Sequence, residues 1–229
     1  MTNNDTTPRR SASTFSREVP KLLSEHLVHL RDSAISIEVI RERGYRSVLG
    51  KKELADLGFS WRQQRVPGIL IPLHGVDGTS AGYQYRPDNP RMNPKGKPIK
   101  YENPQGTCLC LDVPPRCSLM LEDPAVPLWI TEGAKKADAL ATQGTCAINL
   151  NGIWGWRGTN PKGGKVALPD WEMIALNRRK IYLIPDSDAK TNTNVNQAVL
   201  RLGAFLMRRG GKCFLVELPH GEGDEDSQS

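Results

Sequence analysis

The sequence has few of the residues that build structural metal sites or covalent cross-links. It contains five cysteines and four histidines. The cysteines do not form paired two-residue knuckles and have no histidine nearby, which argues against structural zinc. No histidine has a catalytic partner at a recognisable spacing. The odd cysteine number and the absence of a signal peptide predict reduced thiols in a cytoplasmic protein.

A complete phosphate loop is missing as well. Residues Gly158 to Val166 approach the pattern G-x-x-x-x-G-K-[ST], but Lys165 stands one position late and Val166 replaces the hydroxyl residue. We therefore reject an ATPase of this class. Two tryptophans just before this segment, Trp154 and Trp156, either pack over the edge of a sheet or line a site, and packing is the preferred interpretation.

Positive charge is concentrated in the first half of the chain. Residues 1–120 hold 18 Lys and Arg against 12 Asp and Glu, whereas residues 121–229 hold 13 of each, so the net charge of +6 belongs to the first part. The basic stretch from Arg86 to Lys100 also contains Arg91, Lys95 and Lys97. Such a stretch predicts contacts with nucleic-acid phosphates, and the alternative is a solvated loop. Nearby tyrosines either stack bases or pack on a sheet.

Two apolar runs end in carboxylates. The first, Leu128 to Gly133, contains Glu132, and the second, Ile181 to Asp188, contains Asp186 and Asp188. These runs predict strands buried on both faces, and in an α/β sheet the ligand site lies beyond the carboxyl ends of such strands. Carboxylates crowded at one sheet edge repel each other, and a hard divalent cation compensates that repulsion. The sequence therefore predicts Mg²⁺ (or Mn²⁺) chemistry on phosphates.

The surrounding residues predict the rest of a small α/β sheet. A helix over 134–143 and a strand over 145–150 complete one βαβ unit after Glu132. A later helix, Asn194 to Arg209, has an apolar stripe and ends at a Gly-Gly pair, and Lys212 to Leu218 follow as the last strand. The prediction is a small parallel sheet with flanking helices.

This order of elements resembles the Toprim domain shared by bacterial replicative primases and topoisomerases. The resemblance implies that Glu132 binds metal or assists proton transfer, and that Asp186 and Asp188 bind catalytic Mg²⁺. It also implies a third acidic motif after the last strand. Asp224 and Asp226 are the candidates for that ligand, and the alternative is a solvated acidic tail.

One position departs from the primase pattern. Primases usually carry an acidic residue four positions after the glutamate, whereas this chain has Lys136, with Asp138 two residues further on. The departure leaves the number of bound metals open. Lys135 and Lys136 would begin the helix beside the metals, where Lys135 is a predicted phosphate contact and Lys136 a predicted catalytic residue. The alternative is a pair of solvated helix lysines.

The first half of the chain resembles the basic subdomain that precedes Toprim in bacterial primases. The similar segments are an apolar strand, a turn at Asp77-Gly78, a second strand and a basic segment, at residues 68–73, 82–86 and 100–104. The resemblance implies phosphate contacts for Arg86, Lys100 and Asn103, and we add Arg91 and Lys97 of the basic loop. Small helices at 37–43 and 54–59 resemble those that open the same core.

Together, these features predict an α/β protein with a Toprim-like small parallel sheet preceded by a basic α+β subdomain. The predicted parts are a disordered tail (1–16), the basic subdomain (17–120), the Toprim domain (121–220) and an acidic tail (221–229). The resemblance covers roughly residues 25 to 220. It is closest to an uncharacterised group of Toprim-bearing replication proteins of plasmids and phages.

The predicted activity is metal-dependent joining of nucleotides on single-stranded DNA. The substrates would be nucleoside triphosphates, and a helicase or another replication protein is the expected partner, with no membrane involved. Neither a template-reading zinc module nor a helicase motor is visible, so we expect initiation specificity to come from another polypeptide or segment. Two alternatives stay open, a Toprim nuclease that uses the same acids and a non-catalytic module that binds single strands.

Overall fold

The computed structural model describes residues 21–185 and 193–216. Both predicted tails lie outside these ranges, as do Asp186, Asp188, Asp224 and Asp226. No helix within the described ranges is long and apolar enough to cross a lipid bilayer. The described chain contains a three-stranded sheet, a five-stranded sheet and a separate two-stranded hairpin.

The smaller sheet is antiparallel and comes first in the chain. Its strands are β1 (Arg46–Val48), β2 (Gly68–His74) and β3 (Ser80–Pro87). The turn between β2 and β3 lies at the predicted place. There the Asp77 carboxylate accepts hydrogen bonds from the Thr79 backbone N–H and hydroxyl at 3.0 and 2.7 Å. Gly78 has a φ of 78°, the left-handed conformation that glycine adopts without steric cost.

Three short helices accompany this sheet, α1 (Ser24–Asp32), α2 (Ile37–Arg43) and α3 (Lys51–Asp56). The sequence predicts the start of α2 well, because the Ser36 side chain accepts a hydrogen bond from Val39 N at 3.3 Å. Gly44, with a φ of 80°, ends the helix. The helix predicted at 54–59 lies three residues earlier, since Gly58 adopts a φ of 85° just after it.

The larger sheet has the order β10-β9-β5-β6-β4. Strands β5 (Leu128–Glu132), β6 (Cys146–Leu150), β9 (Lys180–Ile184) and β10 (Lys212–Leu215) are parallel, and β4 (Leu111–Asp112) pairs antiparallel with β6. The four parallel strands are those predicted from the sequence, which confirms the α/β class. The separate hairpin consists of β7 (Arg157–Thr159) and β8 (Lys165–Ala167).

Two helices connect the parallel strands. Helix α4 (Ala134–Thr142) joins β5 to β6, and α5 (Thr193–Arg208) precedes β10. The two crossovers run in opposite directions from the centre of the sheet, and crossovers of this kind are right-handed, so the helices lie on opposite faces. Two 3₁₀ helices, Pro115–Glu122 and Pro169–Met173, complete the described elements. Trp156 is buried and its ring stacks on Phe205 of α5, which confirms packing for this tryptophan.

The two halves share a core. Ala134 of α4 is buried in one apolar cluster with Leu30 of α1, Val39 of α2 and Ile71 of β2. Helix α4 is therefore packed between the larger sheet and the helices of the first half. Strand β4 also joins the larger sheet, and Leu111 belongs to its core, although the sequence analysis placed these residues before the domain boundary at 120/121.

The carboxyl ends of β5, β6 and β9 meet at one edge of the larger sheet. Glu132 is paired with Leu150, and Thr131 is paired with Ile184. The chain order reverses between β5 and β9, because β6 follows β5 on one side and β9 returns to the other side. Ligands of open α/β sheets bind outside the strand ends at such a reversal. Glu132 therefore stands at the position where a ligand site is expected.

Candidate active site

The turn that carries Glu132 is fixed by the neighbouring strand. Gly133 has a φ of 92° and lets the chain pass directly from β5 into α4. Its backbone N–H donates a hydrogen bond of 2.6 Å to Oδ1 of Asn149 in β6. Glu132 is half-buried, and it lines a narrow crevice between β5 and β9 together with Pro185. The glutamate predicted to act in catalysis is thus held at the edge of the sheet.

The residues present fit an oxygen-ligated divalent ion. Glu132 supplies a carboxylate at the strand reversal. Oxygen donors of this kind are the ligands that Mg²⁺ prefers. Asp186 and Asp188 follow Pro185 by one and three positions in the sequence. These two predicted ligands and Asp224 lie outside the described residues, so their assignment stays a prediction.

A buried polar network lies behind this turn. Arg43 of α2 is fully buried and donates hydrogen bonds to both carboxylate oxygens of Asp138 in α4, at 2.7 to 3.1 Å. It also donates to Asp112 of β4 at 2.5 Å. The Tyr45 hydroxyl donates to Asp138 at 2.6 Å, and the Asn149 amide donates to Asp112 at 3.1 Å. Through Asn149, the network reaches the Glu132–Gly133 turn.

This network places two carboxylates around one guanidinium in the protein interior. Burial raises the pKa of Asp138 above its usual value, although the Arg43 charge and the Tyr45 hydrogen bond act in the opposite direction. Burial and the Asp138 charge raise the pKa of Tyr45, so its hydroxyl remains a donor. Asp138 is therefore held in the interior by Arg43 and Tyr45.

The predicted basic residues Arg86, Lys100 and Lys135 come together beside the same turn. Lys135 lies in the first turn of α4, three positions after Glu132, and its Nζ is 2.8 Å from His29 Nε2 and 3.1 Å from Ser33 Oγ. Burial, together with the smaller effects of the Arg86 and Lys100 charges, lowers the pKa of Lys135 to about 8. Arg86 and Lys100 are thus close enough to Lys135 to affect its charge, and three cations grouped in this way favour an anionic ligand. We call them the basic surface.

Other predicted nucleic-acid contacts are placed differently. Arg91 forms a bidentate ion pair with the buried Glu102, with distances of 2.6 and 3.0 Å. This pair holds the basic loop against β3, where the Glu102 backbone pairs with Tyr85. Asn103 is half-buried next to it, and its Oδ1 has no partner among the described residues. Lys97 is exposed in the loop, so the structure does not bring these three into the basic surface.

Lys136 is exposed in the first turn of α4, on the same turn as Lys135.

A second group with metal-binding atoms lies elsewhere, at Glu25, His26 and Asp88. Its buried His26 already has partners, because Nδ1 is 2.6 Å from Ser47 Oγ and Nε2 is 3.0 Å from the Asp88 carboxylate. These contacts fasten α1 to β1 and to the end of β3.

Four residues of this network, Arg43, Tyr45, Asp112 and Asn149, were not predicted from the sequence. One signal was present in the sequence, since Asn149 is a polar residue inside the otherwise apolar run 146–150. A buried polar residue needs a partner, and here it has two, the Gly133 N–H and the Asp112 carboxylate. The partners of Arg43 are 69 and 95 residues away, and no local pattern indicates them.

Parts of the chain match a known family model and a curated protein. Residues 118–226 match the family model described as "Domain of unknown function (DUF3854)". An uncharacterized protein of Picosynechococcus sp. (strain ATCC 27264 / PCC 7002 / PR-6) is 33% identical over 165 residues. That alignment covers 58% of this chain and 16% of the relative. The chain thus spans about one sixth of the curated relative that it matches.

Solved structures of bacterial primases have the same fold. The Aquifex aeolicus primase (zinc-binding and RNA polymerase domains) aligns with a TM-score of 0.58 and 13% identity, over 87% of this chain and 51% of that one. The E. coli primase catalytic core gives 0.55 and 15%, over 87% and 66%. The RNA polymerase domain of Mycobacterium tuberculosis primase DnaG in complex with double-stranded DNA gives 0.55 and 15%, over 86% and 67%.

The chain has the fold of a bacterial primase catalytic core. The similarity extends over the small sheet, the basic loop and the larger sheet, because it covers nearly nine tenths of the chain. This confirms the predicted α/β core with flanking helices. At 13–15% identity, the comparison concerns the fold alone and assigns no role to an individual residue.

Proposed function

We propose that this chain is a primase-like nucleotidyltransferase core, which joins nucleotides from triphosphates on a single-stranded DNA template. One observation carries the proposal. Glu132 stands at the strand reversal of a primase-core fold, and the basic surface of Arg86, Lys100 and Lys135 lies directly beside it. A carboxylate for metal chemistry and cations for phosphates are the two components that phosphoryl transfer requires.

Glu132, Asp186, Asp188 and Asp224 would hold Mg²⁺ or Mn²⁺. When bound, the metal would activate the attacking hydroxyl and stabilise the leaving pyrophosphate. The basic residues of the chain would bind the strand and neutralise phosphate charge. Arg86 and Lys100 would hold the backbone of the template or growing strand, and Lys135 would neutralise phosphate charge next to Glu132. Lys136, on the exposed side of the same helical turn, is the further catalytic candidate.

We further propose a biological setting. The resemblance to Toprim-bearing proteins suggests replication of a plasmid, phage or other mobile element, with a helicase or another replication protein as partner. The described cysteines are free thiols, which supports a reducing compartment such as the cytoplasm. Because the chain spans only part of the solved primases it resembles, we expect template selection to come from another segment or polypeptide.

A single assay tests the activity. The purified chain is incubated with single-stranded DNA, labelled nucleotides and Mg²⁺ or Mn²⁺, and both synthesis and cleavage are scored. We expect short oligonucleotides and an intact template. Glu132→Gln keeps the shape of the side chain but removes its charge, so it should reduce joining by at least about 100-fold while template binding is retained. Asp186→Ala and Asp188→Ala should have the same effect.

Two results would redirect the proposal. If the parent protein cuts DNA and never incorporates nucleotides, even with the missing partner supplied, the same acids serve a nuclease. If it binds single strands but neither joins nor cuts, and Glu132→Gln behaves like the parent, the chain is a binding module. A thermal melt of each variant provides the control, because removal of a crowded carboxylate should not unfold the metal-free protein.

A further inference from the structure

A second cavity opens at the same edge of the larger sheet. It has a volume of about 580 Å³, which lies within the usual size range of ligand pockets. Its lining comes from Leu109, the loop 151–155 after β6, Arg157, Lys165 and the start of α5 at Asn194. The cavity therefore lies on the α5 face of the sheet, whereas the basic surface lies on the α4 side.

Both charged side chains among the described lining residues are cations. Arg157 of β7 pairs with Ala167, and Lys165 of β8 pairs with Thr159, so the two cations lie two residues apart on neighbouring strands. The Lys165 Nζ also donates a hydrogen bond of 2.5 Å to the Thr159 hydroxyl. Arg201 of α5 adds a third positive charge near the cavity, because its guanidinium carbon is 5.9 Å from the Trp154 ring centroid. Cations crowded around a cavity are stabilised when an anion binds between them.

Arg157 is held in place by tryptophan. Its guanidinium carbon is 3.9 Å from the Trp154 ring centroid and 5.5 Å from the Trp156 ring centroid. An arginine stacked on an aromatic ring keeps its N–H groups free to point sideways in the plane of the guanidinium. Burial and the neighbouring Arg201 charge lower the pKa of Arg157, but an arginine in this setting stays protonated at neutral pH. The stacking leaves a fixed donor at the cavity.

The cavity is a neighbour of the candidate active site. Ile153 lines this cavity and also lines the crevice that contains Glu132 and Pro185. The N-terminus of α5, a helix of 16 residues, borders the cavity as well. Helix N-termini carry a partial positive charge and unpaired N–H groups, which attract phosphates. An anion here would thus lie near the crevice that contains Glu132.

We propose that this cavity binds the triphosphate of the incoming nucleotide, with Arg157 and Lys165 as its phosphate ligands. The inference rests on the proposed nucleotidyl transfer and assigns its substrate to one side of the sheet edge. The basic surface of Arg86, Lys100 and Lys135 is then left for the nucleic-acid strand. The hairpin β7–β8, which has no phosphate-loop sequence, supplies the cations that such a loop would provide.

The test measures binding without metal or template. Inorganic tripolyphosphate and ATP are titrated into the full chain by calorimetry in the presence of EDTA. Arg157→Ala and Lys165→Ala should each weaken both ligands by about tenfold, as expected for loss of one charge-assisted phosphate contact. Lys162→Ala is the matched control, because it removes the same charge from the exposed hairpin tip, outside the lining of the cavity. It should change the affinity less than about twofold.

Several outcomes would overturn the assignment. Parent-like affinity in both cavity variants, or equal weakening by Lys162→Ala, would show that the cavity does not hold the phosphates. Weaker binding of a single-stranded oligonucleotide with unchanged ATP affinity would assign the cavity to the strand instead. Melting temperatures check that Arg157→Ala is folded, and Arg157→Lys, which keeps the charge, should recover part of the affinity.

The two proposals can fail separately. If the cavity variants lose nucleotide affinity but the parent never joins nucleotides, the binding site stands and the proposed activity fails. If joining is observed and the cavity variants retain the parent's KM for nucleotide, the activity stands and this assignment fails.

Discussion

Replacement of Arg43 by methionine should strongly destabilise the protein. Methionine fills much of the same volume but removes every hydrogen bond that the guanidinium makes in the interior. Arg43 donates to Asp138, Asp112 and the backbone oxygen of Pro72, and all three side chains of this ion cluster are at most 1% exposed. The variant would leave two buried carboxylates without a counter-charge.

The size of the effect follows from this burial. Removal of one partner from a buried ion pair costs about 3–5 kcal/mol, whereas an exposed pair contributes about 0–1 kcal/mol. With a urea dependence of about 2 kcal/mol per M, the midpoint of unfolding should fall by about 2 M. Arg209→Met is the matched control, since Arg209 pairs with Glu172 on the surface. Its midpoint should move by less than about 0.5 M.

The loss should also depend on pH. The pKa of Asp138 is raised in the folded protein, so this carboxyl favours the folded state at low pH and loses that contribution as the pH rises through the folded-state pKa. Without Arg43 the pKa should rise further, because the largest opposing interaction is gone. The variant should therefore be less destabilised relative to the parent at pH 5 than at pH 8.

Urea unfolding followed by tryptophan fluorescence and by circular dichroism measures both effects. If Arg43→Met does not fold, Asp138→Asn provides a milder variant that keeps Arg43 paired with Asp112. The reasoning is wrong if Arg43→Met lowers the midpoint no more than Arg209→Met does, or if its destabilisation is the same at both pH values.

Two further predictions concern the basic surface. Arg86→Ala and Lys100→Ala should each weaken single-strand binding similarly for all sequences and reduce the salt slope by about 1, because phosphate contacts carry no base identity; unchanged slopes in a titration across salt would remove these residues from the interface. The pKa of Lys135 is lowered to about 8, so its positive charge is present below pH 8 and is lost above it. Strand affinity should therefore fall between pH 7 and pH 9 in the parent, and this fall should be smaller in Lys135→Arg, whereas identical pH profiles would contradict the role of Lys135.

The sequence predicts the larger sheet well because its signals are local. Continuous apolar runs identify β5 and β9, and the Glu-Gly pair places Gly133 at the turn where its positive φ is needed. The helix α5 follows from its apolar stripe and from the glycines after it. These elements depend on neighbours within a few residues, so they can be read without knowledge of the fold.

The elements that were missed depend on distant partners. Strand β4 has only two residues, and it is a strand because Leu111 and Asp112 pair with Leu150 and Asn149. Strand β1 has only three residues and exists through its pairing with β2. Neither has a periodic pattern of its own. Short strands of this kind are specified by tertiary contacts, which a local pattern does not contain.

In the candidate site too, some features follow from local sequence and others depend on distant partners. The position of Glu132 follows from the run that precedes it, and Lys135 lies in the helical turn that directly follows the Glu132–Gly133 turn. The approach of Arg86 and Lys100 to Lys135 could be expected only through the resemblance to primases. Arg91 belongs to the same basic stretch, but it forms an ion pair with Glu102. The charge pattern alone therefore predicted a phosphate contact where the structure has an internal pair. A count of charges does not distinguish a ligand-binding arginine from a paired one.

The buried Arg43 also bears on which part of the chain can exist independently. The recognisable family segment begins at residue 118, so it contains Asp138 but neither Arg43 nor Asp112. Cut at that point, the segment would keep an interior carboxylate without its cation and would lose the strand that covers β6. We therefore expect the segment that this family model describes to be smaller than the segment that folds. Wherever such a segment recurs in evolution, an upstream platform, or a substitution at Asp138, should accompany it.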